Sequence, residues 1–201
     1  MNSEFETETS WTYEIGFLKD LWFDTKFRGS GYYIDITDYQ HMNYMSSGLA
    51  QTADVYNVDA RLYGIEMELT RSLVHDLSGH LYYTWQNWSK EDFPLAPEEE
   101  YDLMENLPRN KVTLGFNYKL WENGLVSLNS RYVGSRKAMN KEKIKDFITV
   151  DVGAEHVFKL GDESSFTLKA FVNNVTDEKY EQRYGYPMPG ITTGISGTLS
   201  F

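Results

Sequence analysis

Strict alternation of side chains in the last twelve residues constrains the fold of this chain more than any other feature. Apolar residues share one face of an extended strand there, and small polar residues or glycine share the other: Ile191, Ile195, Leu199 and Phe201 against Thr192, Gly194, Ser196, Thr198 and Ser200. A period of two is typical of a β-strand. This pattern suits a strand with lipid outside and a wet lumen inside. A soluble sandwich with a buried apolar face would alternate in the same way, so both classes stay open at this point.

Composition excludes several other classes of protein. No apolar run approaches the roughly 18 residues that a helical membrane span needs. The 15 Tyr, 11 Phe and 5 Trp suit the aromatic girdles of a membrane barrel. The absence of cysteine excludes disulfides and thiolate metal sites, and the net charge of −11 argues against a nucleic-acid partner. Residues 1–10 lack the features of a signal peptide, so the chain is expected to be mature, truncated or not exported.

Alternation continues along the chain and predicts about nine strands, with no convincing amphipathic helix. The predicted strands are residues 11–17, 21–37, 61–69, 77–87, 112–120, 126–132, 148–160, 166–172 and 190–201. Gly29 and Gly31 are interpreted as bulge or crowding sites in the sheet, because no helix follows that could complete a phosphate-binding loop.

The lengths of the connections also alternate. Short connections are predicted near 19–20, 72–76, 121–124 and 160–164, and long ones near 38–56, 89–110, 137–146 and 174–190. The Asn123-Gly124 pair predicts a hairpin turn with positive φ at both residues. Up-and-down connectivity places all short turns at one end and all long loops at the other, as in outer-membrane barrels. We therefore expect the long loops at the extracellular end and Phe201 at the periplasmic end.

Six motifs in order carry a resemblance to a known family. They are Trp11-Thr12-Tyr13-Glu14-Ile15-Gly16, Tyr63-Gly64-Ile65-Glu66, Leu107-Pro108-Arg109-Asn110-Lys111, Arg131-Tyr132-Val133-Gly134-Ser135-Arg136, Asn173-Asn174-Val175-Thr176-Asp177-Glu178-Lys179-Tyr180 and Gly185-Tyr186-Pro187-Met188-Pro189-Gly190. Together they resemble the C-terminal part of the barrel of a TonB-dependent outer-membrane receptor. The chain departs from the family pattern at Ile191, where a basic residue is usual, and at Ser196, where glycine is frequent.

The resemblance implies an all-β fold, an antiparallel up-and-down transmembrane β-barrel in the outer membrane of a Gram-negative bacterium. The family barrel has twenty-two strands around a plug. Residues 1–201 are therefore expected to be its C-terminal portion of about nine strands, without the plug or a TonB box, and open or incomplete alone. The resemblance implies import of a scarce solute, most typically a ferric siderophore, with energy relayed by TonB through the missing plug.

Further implications of the resemblance concern individual residues. Glu14 and Glu66 match family glutamates that pair with plug arginines, although ordinary lumen-facing carboxylates would give the same pattern. Ile195, Leu199 and the terminal Phe201 match the signal that the barrel-assembly machinery binds. The expected surroundings are outer-membrane lipid and the missing N-terminal barrel and plug of the same receptor.

The remaining chemistry is sparse. The acidic segment 89–110 could bind cations or repel anionic solutes, although such charge runs are usually only solvated. The histidines at 41, 75, 80 and 156 show no converging ligand set, so structural histidines and no metal site are expected. No motif supports a catalytic triad or a paired-carboxylate site, so neither an enzyme nor a bound cofactor is expected.

Two other classes remain as alternatives. A small complete outer-membrane barrel with a binding or adhesive role would require a signal peptide and an even number of strands. A soluble all-β binding module would require the apolar faces to meet in one core.

Overall fold

The computed structural model describes residues 6–47, 50–74, 76–91, 106–138 and 142–201. Thirteen strands are formed within these residues: β1 Thr9–Leu21, β2 Thr25–Ser47, β3 Ala50–Val74, β4 Leu77–Glu91, β5 Asn110–Trp121, β6 Gly124–Val133, β7 Arg136–Lys137, β8 Lys143–Ile144, β9 Phe147–Lys159, β10 Ser165–Asn173, β11 Glu181–Arg183, β12 Tyr186–Pro187 and β13 Thr192–Ser200. None of the described residues belongs to a helix long and apolar enough to cross a membrane.

Nine of the described strands form one antiparallel sheet in the order β1-β2-β3-β4-β5-β6-β9-β10-β13. The four remaining strands form two short ribbons, β7–β8 and β11–β12, in the connections β6–β9 and β10–β13. The prediction of an all-β meander of about nine strands is therefore confirmed. In the described residues the sheet is open, because β1 and β13 each pair on one side only.

The two faces of the sheet differ as the alternation predicted. The outward face carries exposed apolar side chains such as Trp11, Ile15 and Leu114, whereas the other face is largely polar. No large side chain among the described residues is fully buried, and the small buried cluster comprises Ile36, Val58 and Ala60. The described residues therefore do not form a soluble module with one apolar core.

The antiparallel registers sort the connections by end. Residues 106–109, 134–138, 142–146 and 174–191 lie at one end of the sheet, and residues 22–24 and 160–164 lie at the other. Ser200, the last residue of β13, lies at the second end, because it pairs with Ser165 at the start of β10. Short turns face the periplasm in outer-membrane barrels, so the first end is extracellular.

Three local predictions were wrong. A loop was predicted at 38–56, but residues 39–47 and 50–56 instead continue β2 and β3. The two strands pair from Tyr39↔Val58 to Ser47↔Ala50 beyond a bulge between Ile36 and Tyr39. Asp38 has a positive φ of 58° in that bulge. A strand that projects beyond a membrane has water on both faces, so it needs no apolar phase, and its polar sequence predicted a loop.

Both remaining errors concern turns. Residues 19–20 lie within β1, and the turn is at 22–24, where Phe23 and Asp24 have φ of 59° and 49°. Aromatic residues there have strand propensity, which concealed the turn. The turn at 122–123 exists, but neither Asn123 nor Gly124 has a positive φ. Gly124 is required for space instead, because a Cβ there would overlap the Trp121 side chain.

Candidate functional site

The two glutamates singled out in the sequence lie on the polar face of the sheet. Glu14 pairs with Tyr32, which pairs with Gly64, and Glu66 lies between Ser30 and Thr84. The two Cα positions are separated by two strand spacings and two residues, or about 12 Å. Both carboxylates therefore face the lumen from neighbouring rows, and Tyr32 lies on β2 in the row of Glu14.

Tyr32 connects three strands across the lumen surface. Its side chain lies over Gly64, where a Cβ would come within 2.6 Å of both the Tyr32 hydroxyl oxygen and the Trp85 carbonyl oxygen. Crossing β3 in this way, the Tyr32 hydroxyl donates to Gln86 Oε1 on β4 at 3.3 Å. Glycine is therefore needed at this position of the Tyr63-Gly64-Ile65-Glu66 motif because the neighbouring Tyr32 ring occupies the space that a side chain would take.

Gln86 in turn fixes the segment that enters β5. Its Nε2 donates to the Pro108 carbonyl at 2.8 Å, and its backbone N–H donates to the Arg109 carbonyl at 2.9 Å. The Arg109 guanidinium lies 5.4 Å from the centre of the Trp88 ring. The Leu107-Pro108-Arg109-Asn110-Lys111 motif is thus the extracellular-end anchor of β4 and β5. Residues 92–105 of the acidic segment lie outside the described residues.

A small polar cavity surrounds Glu66. Its volume is about 200 Å³, and Arg28, Ser30, Glu68 and Thr84 contribute to its lining. Arg28 and Glu68 form a salt bridge at 3.5 Å, whose arginine side chain is two-thirds exposed. An exposed pair of this kind adds little stability. Because Arg28 pairs with Glu68, the cavity still presents Glu66 to a cation approaching from the lumen.

The described extracellular residues 106–109, 134–138, 142–147 and 174–191 contact one another, and we call them the loop junction. Arg136 is its centre and is only 6% exposed. Its Nη2 donates to the carbonyls of Glu181 and Gln182 at 2.5 and 3.0 Å. Burial lowers the pKa of Arg136, because a less polar environment disfavours its charge. One guanidinium therefore joins the β6–β9 connection to the β10–β13 connection.

Aromatic and backbone contacts reinforce the loop junction. The guanidinium groups of Arg131 and Arg136 lie 5.6 and 5.7 Å from the centre of the Phe147 ring, and Phe147 stacks on Tyr180 at 4.2 Å. The Asn106 N–H donates to the Lys137 carbonyl at 2.9 Å. The described parts of three extracellular connections, β4–β5, β6–β9 and β10–β13, are therefore held together as one unit.

Asn174 shapes the first turn of the last connection. It is buried, has a φ of 50°, and its backbone N–H donates to Asp151 Oδ1 at 2.7 Å. Its Oδ1 accepts from the Glu178 N–H, and its Nδ2 donates to the carbonyls of Glu178 and Pro189. Asp177 closes the same turn by accepting from the Ile191 N–H at 3.2 Å. These two side chains explain the Asn-Val-Thr-Asp part of the motif.

A cavity of about 390 Å³ opens between the two ribbons of the loop junction. It is lined by three lysines and by aromatic, apolar and acidic side chains, among them Lys143, Lys145, Lys179, Tyr180, Tyr184 and Met188. Lys179 also contacts Asp177 at 2.9 Å. Sequence analysis did not single out this cavity, because it forms between segments about 40 residues apart.

Other predicted residues lie apart from the cavities at Glu66 and in the loop junction. Ile195, Leu199 and Phe201 point outward from the edge strand β13 or follow it, and they are 77%, 57% and 96% exposed. Within the described residues, no group of three or more His, Cys, Asp or Glu side chains is placed to hold a metal ion. His156 accepts a hydrogen bond from Trp121 Nε1 at 2.6 Å on the outward face.

Residues 1–175 match the family described as TonB dependent receptor-like, beta-barrel. The chain belongs to the TonB-dependent receptor family. Members of this family are transporters rather than enzymes and reside in the Gram-negative outer membrane. No curated protein matches the chain.

Solved receptors share the fold. The copper transporter OprC superposes with a TM-score of 0.81 at 16% identity over 98% of this chain and 32% of its own. The unliganded ferric citrate transporter FecA gives 0.73 at 19% identity, covering 96% and 31%. FpvA from Pseudomonas aeruginosa, bound to pyoverdine, gives 0.70 at 17% identity, covering 98% and 30%. This TonB-dependent receptor chain thus spans about a third of the length of the receptors it matches.

Proposed function

We propose that residues 1–201 form the C-terminal portion of the barrel of a receptor that imports a ferric siderophore, with energy relayed by TonB through a plug elsewhere in the protein. The observation that carries the partial-barrel part of this proposal is the open sheet, whose outer edges on β1 and β13 are unpaired within the described residues. Each unpaired backbone group in lipid costs several kcal/mol, so further strands must complete the barrel. We therefore expect the chain made alone to aggregate or to remain an open sheet.

The cavity in the loop junction supports an anionic chelate as the solute. Its lining contains three lysines, Lys143, Lys145 and Lys179, against two acidic residues, Asp146 and Glu181. Lys179 is paired with Asp177, so Lys143 and Lys145 are the lysines we expect to face an anion. Tyr180 and Tyr184 add aromatic surface against which a planar ligand group can pack. Among the similar structures are a ferric citrate transporter, a receptor bound to pyoverdine and a copper transporter.

Uptake by the receptor that contains this chain tests the solute class. Cells that produce it should accumulate radiolabelled iron from a siderophore only when TonB is present. Replacing Lys143 and Lys145 by glutamine should weaken siderophore binding several-fold, because two charges facing the anion are lost. Lys159→Gln removes one lysine charge at the periplasmic end of β9 and serves as the control for each of the single variants Lys143→Gln and Lys145→Gln. Transport of free copper ions without transport of any iron chelate would contradict the proposal.

We further propose that Glu14 and Glu66 bind basic side chains of the plug. Their placement on the lumen face, and the pairing of Arg28 with Glu68 rather than Glu66, support this role. Glu14→Gln and Glu66→Gln should each reduce plug retention and uptake in the receptor. Glu155→Gln, on the lumen face of β9, is the matched control. Unchanged plug retention in both variants would leave them as ordinary lumen carboxylates.

Assembly is the role we propose for the outward residues of β13. Ile195, Leu199 and Phe201 form an exposed apolar row at a free sheet edge, which suits recognition by the barrel-assembly machinery. Deleting Phe201 should lower the yield of folded receptor in the outer membrane while leaving its messenger level unchanged.

The alternative function, a small complete barrel with a binding or adhesive role, predicts a different result for the chain made alone. Such a barrel would insert into liposomes as a heat-modifiable, protease-resistant monomer.

A further inference from the structure

Two basic residues interrupt the apolar outward face at the periplasmic end. Arg71 follows Leu69 in the outward phase of β3, and Lys19 follows Phe17 in the outward phase of β1. Their Cα atoms are separated by two strand spacings across the sheet and two residues along it, or about 12 Å. The two long side chains can therefore reach the same anion from either side. Charged residues on the lipid face are unfavourable near the middle of a membrane and tolerated near its boundary. The placement of both near the periplasmic boundary is therefore physically consistent.

Aromatic side chains frame the same place. Trp22 and Phe23, in the turn that joins β1 to β2, are 76% and 72% exposed. The Arg71 guanidinium lies 5.5 Å from the centre of the Phe23 ring, a distance at which a cation and an aromatic ring attract. Tryptophan and phenylalanine rings of this kind lie at headgroup depth in membrane barrels. The turn between β1 and β2 therefore holds the Arg71 guanidinium at the depth where such rings lie.

Arg71 also has an unfulfilled hydrogen-bonding group. Its Nε is buried and has no hydrogen-bond partner, and no carboxylate among the described residues forms a salt bridge with Arg71 or Lys19. The nearest acidic residues in the sequence of the two turns, Asp24 and Asp76, are exposed. The Nε itself is enclosed, but the guanidinium has no carboxylate partner among the described residues, so an oxyanion can bind it with charge-assisted hydrogen bonds.

We propose that Arg71 and Lys19, framed by Trp22 and Phe23, bind the phosphate of an anionic phospholipid in the periplasmic leaflet. Charge complementarity selects this occupant, because two cations face the headgroup layer on a chain with a net charge of −11. The site is separate from the solute cavity, which lies at the opposite end of the sheet. It would fix the depth and tilt of β1–β3 in the membrane.

Lipid retention by the complete receptor tests this site. The receptor is reconstituted in nanodiscs of phosphatidylcholine with a minority of phosphatidylglycerol, and native mass spectrometry measures the phosphatidylglycerol that stays bound. Arg71→Gln and Lys19→Gln are each expected to weaken retention about fivefold, as for one basic residue near an anionic surface. Arg71→Lys keeps the charge and should retain most of the lipid. Heat-modifiable electrophoretic mobility verifies that each variant is folded.

Lys26→Gln is the matched control. Lys26 lies at the same height on β2, where it pairs with Asp20 and Thr70 in the lumen phase, so its loss should leave lipid retention unchanged. Equal losses in Lys26→Gln and Arg71→Gln, or no preference for phosphatidylglycerol over phosphatidylcholine, would overturn the proposal. Displacement of the lipid by millimolar inorganic phosphate would show a free-anion site and would also overturn it. Because siderophore uptake is measured separately, failure here is distinguishable from failure of the transport proposal.

Discussion

The membrane-spanning sheet and the loop junction are stabilised in different ways. In the sheet, alternation repeats the same contacts along every strand, and no single side chain among the described residues is both large and fully buried. In the loop junction, a few polar side chains each make several bonds; Arg136 and Asn174 together contact four backbone carbonyls. The sheet therefore distributes its stability, whereas the loop junction concentrates it.

Glycines are the exception within the sheet. Aromatic side chains lie across glycines on neighbouring strands at several points, including Phe17 over Gly29, Tyr32 over Gly64 and Phe166 over Gly197. At these points the sheet also depends on individual residues, because a Cβ would displace a ring. The comparison can therefore be tested with single substitutions in both regions.

The largest effect is expected at Gly64. Gly64→Ala places a Cβ within 2.6 Å of the Trp85 carbonyl oxygen and the Tyr32 hydroxyl, so the backbone must shift and the Tyr32–Gln86 bond must break. We expect a loss of about 3 kcal/mol in the free energy of unfolding of the receptor, measured by urea titration in detergent micelles. Gly161→Ala is the control, since nothing lies within 4 Å of a Cβ there. Equal losses in both variants would contradict the steric explanation.

Alternation made the sheet largely predictable from the sequence. The period of two predicted which face of the sheet residues such as Ile15, Leu114 and Ile195 occupy. The lengths of the connections predicted which end of the sheet is extracellular. The extension of β2 and β3 through 39–47 and 50–56 was missed because a strand in water on both faces carries no apolar phase. The turn at Phe23 was missed because its residues resemble strand residues.

The next largest effect is expected at Asn174. Asn174→Ala removes the side-chain bonds to Glu178 and Pro189 and leaves a non-glycine residue at a φ of 50°. We expect a local destabilisation of about 2 kcal/mol, measured as faster amide hydrogen exchange over 174–191. Asn174→Gly keeps the backbone conformation accessible and separates strain from lost bonds. Exposed Asn173 replaced by alanine is the control, and matching exchange rates for the two alanine variants would contradict the prediction.

A smaller effect is expected at Arg136. Arg136→Lys keeps the charge but loses the planar group that reaches both carbonyls and stacks on Phe147. We expect about 1 kcal/mol of local destabilisation, again as faster amide exchange at 181–183. Arg183→Lys, at an exposed arginine of the β11–β12 ribbon, is the control. Unchanged exchange at 181–183 in Arg136→Lys would show that the loop junction does not depend on this contact.

The site was less predictable than the fold for a physical reason. Arg136 and Glu181 are 45 residues apart, and no period in the sequence reports that their segments meet. The motifs that contain Arg136 and Asn174 were recognised by resemblance, but their contacts became clear only from the fold. Alternation fixed the face that Glu14 and Glu66 occupy, the resemblance singled them out, and their binding partner stays a prediction.

The smallest effect is expected at Asp177, whose side chain is about half exposed. Hydrogen bonds from Lys179 Nζ and from the Ile191 N–H lower the pKa of its carboxyl below the usual value. A group with a depressed folded-state pKa contributes stability above its unfolded pKa of about 3.9, and that stability is lost as the pH falls through the folded value. Exchange of the Ile191 amide, corrected for the intrinsic rate, should therefore accelerate below about pH 4. Asp177→Asn should remove this acid dependence, whereas Asp162→Asn in a periplasmic turn should retain it. An acid dependence that survives Asp177→Asn would assign the effect to another carboxylate and leave the loop junction independent of Asp177.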